Sequence, residues 1–114
     1  MGADLSIDYE DQRESSWVSL APQSWLRDHW LPIAEEQDWE WIRRVCDNTC
    51  QAFDPSDIAG LLTEMRALRT AVANSRSIDA ELAGMMDIRL ERAIAAIAAD
   101  EDRNWQGVTL VSIG

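Results

Sequence analysis

DPSDIAGLLTEMRALRTAVANSRSIDAELAGMMDIRLERAIAAIAA, residues 54–99, is the stretch that decides the fold. Asp54 stands where a capping side chain is wanted, Pro55 suits the first helical position, and Asp57 follows near the positive end of the helix dipole. From there Ile58, Leu61, Leu62, Met65, Leu68 and Val72 recur at spacings of three and four, which predicts one helix over 55–75 with a single apolar face. Ser77 reads as the cap of a second helix over 77–99. It carries Asp79 and Glu81 in its first turn and Leu82, Met86, Leu90, Ala93, Ile94 and Ile97 on its inner face. Residues 75–77 leave so little chain between the two that they must turn back on each other as an antiparallel hairpin. A local echo links them, with Gly60 in DIAGLL (57–62) and Gly84 in ELAGMM (81–86). A helical glycine costs about 0.5 to 1 kcal/mol relative to alanine, and close approach of Gly60 to Ala93 is the expected compensation.

Upstream, residues 24–53 read as an interrupted helix. Pro32 breaks the first segment and suits the start of the next, and Glu35 and Glu36 fall in its early turns. The helix is expected to continue, bent near Asp38, with Trp39, Ile42, Cys46, Cys50 and Phe53 on its buried face.

The ends of the chain change period. Leu5, Ile7 and Tyr9 alternate with Asp4, Ser6 and Asp8, so residues 3–9 form a strand with one apolar and one polar face. Residues 107–113, GVTLVSI, form the other convincing strand. Neither can satisfy its backbone alone, so the two are expected to pair, with WVSL (17–20) as a candidate third strand. The fold class is therefore α+β and mostly helical: an antiparallel hairpin of long helices, a tryptophan-rich N-terminal helix, and short terminal strands paired in a small antiparallel sheet. At 114 residues the chain is one domain, 1–114.

Charge excludes more than it selects. Asp and Glu total 21 against ten basic residues, all of them Arg, giving a net charge of −11. Direct nucleic-acid binding and anionic membranes are disfavoured, because both need a concentrated basic surface. With no membrane-spanning apolar run and no basic flank followed by an apolar stretch at the start, a cytoplasmic protein is expected. Such a surface speeds encounter with a basic protein or nucleoprotein complex, such as a toxin, a nuclease or a CRISPR effector.

No arrangement of residues carries a catalytic signature. Cys46 and Cys50 lie one helical turn apart but lack two further ligands of metal-site spacing, so small buried thiols are the better reading. Asp28 and His29 are neighbours about 100° apart around a helix and cannot easily pair. The carboxylates gather in three runs: Asp4, Asp8, Glu10, Asp11 and Glu14; Glu35, Glu36, Asp38 and Glu40; and Asp100, Glu101 and Asp102. All fall in places expected to be solvated, which suits an anionic docking face better than paired-acid hydrolysis. No catalytic residue, metal or cofactor is assigned.

Tryptophan is the unusual residue, with six copies against one Phe and one Tyr. Trp39 and Trp41 point about 200° apart around a helix, so with Trp39 inward Trp41 points outward beside Glu40. Exposed indoles among acids have the composition of a hot spot for a cationic partner. The expected partner-binding residues are Trp41, Trp30 and Trp25 as anchors, with Glu36, Asp38, Glu40, Asp8, Glu10 and Asp11 steering the encounter.

These observations point to a non-enzymatic acidic inhibitor that occludes a basic functional surface of another protein, as bacterial or phage immunity and anti-CRISPR or other anti-defence proteins do. That association rests on size, charge and the lack of catalytic motifs. Two alternatives are a scaffolding protein, with Trp and Met residues forming a homodimer or larger homo-oligomer interface, and a small-ligand binder or enzyme with a Trp-lined pocket.

Overall fold

A computed structural model describes residues 2–10, 16–47 and 51–114. Four strands form one antiparallel sheet: β1 (Gly2–Tyr9), β2 (Ser16–Pro22), β3 (Gln51–Phe53) and β4 (Val108–Ile113), in the order β2-β1-β4-β3. The strands at the two ends of the chain pair as expected, with Leu5 opposite Ile113 and Ile7 opposite Val111. β2 contains the WVSL segment and lies antiparallel to β1, pairing Leu5 with Val18.

Leu5, Ile7, Leu20, Val111 and Ile113 are buried on one face of this sheet, beneath two long helices. These are α4 (Pro55–Asn74) and α5 (Ala80–Ala98), which pack on each other as the expected hairpin. Every residue of the predicted α4 stripe is buried, and Asp54 caps the helix by accepting from the Ser56 N–H at 3.0 Å. Within α5, Met86, Leu90, Ala93 and Ile97 are buried. The helix begins later than Ser77 suggests, at Ala80 with Asp79 as its N-cap, because burial of Ile78 holds the connection out of helical geometry. The closest approach at Gly60 is made by Trp41 rather than by Ala93. A Cβ there would meet the Trp41 indole, whereas one at Gly84 would meet open space.

The interrupted helix over 24–53 is corrected in three places. Its first part runs from α1 (Gln23–Trp25) through a π-helical turn (Leu26–Trp30) into α2 (Leu31–Gln37). The wide turn lies just before Pro32, which has no N–H to donate, and the Leu31 N–H reaches back to the Leu26 carbonyl. Near Asp38 the helix ends rather than bends. Asp38 takes left-handed geometry, φ 56°, and its N–H closes onto the carbonyls of Ala34 and Glu35. α3 (Glu40–Val45) then starts afresh, and Phe53 sits in strand β3 opposite Val111 rather than on a helix. Buried Phe53 and Ile42 hold the inner face expected of them, Trp39 and Cys46 are half-buried, and Cys50 lies outside the described residues.

Candidate functional site

The α2–α3 corner brings together four of the expected site residues. Glu36, Asp38 and Glu40 are exposed within it, and Glu35 stands exposed beside them. Trp41 is placed in the first turn of α3. The helical segment running into α2 ends at Asp38, so Glu35, Glu36 and Asp38 crowd its negative end rather than its early turns. Carboxylates there oppose the helix dipole and each other. Among the described residues the one cation bonded to this group is Arg43, 3.5 Å from Asp38. A shallow cleft of about 460 Å³ lies alongside, lined by Leu31, Glu40, Arg43, Arg44, Cys46 and Asp47. Burial pushes the Cys46 thiol up to about 12, the opposite of what thiolate chemistry requires.

Trp41 does not point away from the protein as its spacing from Trp39 suggests. α4 covers part of it. The indole rests against Gly60, meets Phe53 edge-on at 5.9 Å between ring centroids, and carries the Arg44 guanidinium over its ring at 5.1 Å. Glu64 of α4 fixes the start of α3, its Oε1 accepting from the Trp41 N–H at 2.9 Å and the Ile42 N–H at 3.0 Å. Burial raises the Glu64 pKa above the ordinary glutamate value, outweighing the N–H groups that favour its charged form. Trp41 is thus a half-buried ring held in place, with part of its surface open beside Glu40.

Two expected anchors, Trp30 and Trp25, are buried rather than exposed. Trp30 is 1% exposed, in the core beneath the sheet, and its Nε1–H has no partner among the described residues. Trp25 is also buried, with the Arg89 guanidinium 5.8 Å above its ring. Both follow the π-helical turn inward, which helical spacing alone does not reveal. Asp8 and Glu10 belong to a different part of the surface. Asp8 pairs with Leu110 across the sheet, and the Glu10 N–H donates to the Gly107 carbonyl near the α5–β4 connection. Asp11 lies outside the described residues.

The most exposed indole among the described residues lies outside the expected partner-binding set. Trp17 is 64% exposed on β2, and Met85 and Ile88 on α5 are each 49% exposed. Their signal was present: Trp17 alternates with the inward Val18 and Leu20, and Met85 and Ile88 fall off the apolar stripe of α5. Among the described residues no group of three or more His, Cys, Asp or Glu side chains converges to hold a metal ion. No helix among them is long and apolar enough to cross a membrane. No family model matches the chain, and comparisons with curated proteins and with solved structures return no significant match.

Proposed function

We propose that this chain is a non-enzymatic, cytoplasmic binding protein that occludes a basic functional surface of another protein, in the manner of an immunity or anti-CRISPR type inhibitor. The observation that carries the reading is the crowding of Glu35, Glu36 and Asp38 at the negative end of α2, with Glu40 exposed beside them at the start of α3 and one arginine bonded to the group among the described residues. Such an arrangement works against the helix and gains from an external cation. The open part of Trp41 supplies an adjoining apolar contact for the partner. Glu36, Asp38 and Glu40 steer the encounter, while Glu64 and Gly60 position the indole.

Affinity capture from the native host supplies the partner, and stopped-flow association then tests the mechanism. Neutralising Glu36, Asp38 and Glu40 to Gln, Asn and Gln is expected to slow association about tenfold or more at low salt and to flatten its salt dependence. Association whose salt dependence is the same in the triple variant removes this corner from the contact.

A further inference from the structure

Trp17, Met85 and Ile88, the large apolar side chains left exposed among the described residues, come from two elements that pack together, β2 and α5. Between these elements lies a cleft of about 430 Å³ lined by Trp17, Val18, Ser19, Arg89 and Arg92. Arg89 spans it, donating to the Ser19 Oγ at 2.9 Å while its guanidinium lies over Trp25. Among the described residues neither Arg89 nor Arg92 pairs with a carboxylate, whereas Arg66 and Arg69 on the hairpin are both paired. β2 is also an outer strand, joined to β1 on one side. No backbone hydrogen bond from residues 16–22 reaches beyond the sheet and the helices among the described residues. Natural edges are usually blocked by a charged side chain, yet residues 17–21 carry none, and only Pro22 closes the strand.

We propose that the β2–α5 cleft binds an extended acidic segment of another protein. The segment adds as a fifth strand beside β2, sets its carboxylates on Arg89 and Arg92, and packs an apolar side chain on Trp17. Charge selects this occupant. A second copy docked through a twofold axis would bring the arginine-bearing edge against itself, with like charges facing, whereas a carboxylate-bearing strand satisfies both guanidiniums. Trp, Met, Ile and Arg around an open edge also match the composition of an interface centre. The cleft shares no residue with the acidic corner, so the two proposals stand or fall separately.

The test is an amide chemical-shift titration of the intact protein with two short end-blocked peptides, one alternating glutamate and valine, the other lysine and valine. At physiological ionic strength charges are screened beyond about 8 Å, which suppresses the repulsion from the net charge but not contact pairing. The glutamate peptide is expected to shift residues 16–22 and 85–92 saturably, and the lysine peptide is not. Arg92→Gln removes a side chain that bonds to no described residue, so the fold is retained. It is expected to weaken binding of the glutamate peptide about three- to tenfold. Equal shifts with both peptides, no saturable shift at millimolar peptide, or unchanged affinity in Arg92→Gln overturns the proposal. So does a dimer that Trp17→Ala dissociates, which would assign the face to a second copy.

Discussion

Gly60 and Gly84 occupy matching places in their helices but meet different surroundings. Alanine at Gly84 adds a methyl in open space and removes the backbone-entropy cost of a helical glycine. Gly84→Ala is therefore expected to stabilise the protein by about 0.5 to 1 kcal/mol. Gly60→Ala drives a methyl into the Trp41 indole, and overpacking of that kind costs about 1 to 3 kcal/mol, more than the propensity gain. Chemical denaturation of the two variants checks this, with a shift in Trp41 emission expected only for Gly60→Ala. Glu64 gives a second test. Its native pKa is raised, so the folded state holds this proton to higher pH than the unfolded chain does. Its contribution to stability therefore falls as pH rises from the ordinary glutamate value through the raised one. Glu64→Gln keeps an acceptor for the Trp41 and Ile42 N–H groups and is expected to flatten that decline in thermal unfolding between those limits. An unchanged pH profile would mean that another group titrates there. Neither the glycine contact nor the cap was legible in the sequence, since each depends on which layer covers α3 and not on any periodicity.

At the scale of elements, the acids of α2 are placed against the helix that carries them. Glu35→Gln with Glu36→Gln is expected to raise stability at low salt by about 0.3 to 1 kcal/mol, because the change relieves repulsion from the helix end. Thermal unfolding at two salt concentrations reads this, and a loss of stability would show that the two carboxylates have a structural role. The α4–α5 hairpin was legible because its capping signal and sustained spacing of three and four act over many turns. The region from Pro32 to Phe53 was not. Asp38 ends a helix in left-handed geometry without a glycine to announce it, and β3 is three residues long, too short for alternation to register. Its strand state is set from outside, by pairing with β4 and by burial of Phe53.

Across the whole molecule, the pairing of the first and last strands was legible because apolar alternation over residues 3–9 and β-branched residues over 107–113 left each strand in need of a partner. The net charge was legible too, but its placement was not. Ion pairs such as Arg69–Asp87, at 2.6 Å, and Arg66–Glu101, at 3.0 Å, neutralise acids on the hairpin side, whereas among the described residues most carboxylates of the α2–α3 corner have no ion-pair partner. The surface thus divides into an acidic corner beside a fixed indole and an arginine-lined edge beside an exposed one. Titration of the labelled protein with an oligo-arginine peptide, followed by amide chemical shifts, tests the central claim most directly. Saturable shifts centred on residues 35–41, lost when Glu36, Asp38 and Glu40 are neutralised, are the expected result. Shifts of similar size at every acidic run, unaffected by that variant, would contradict it.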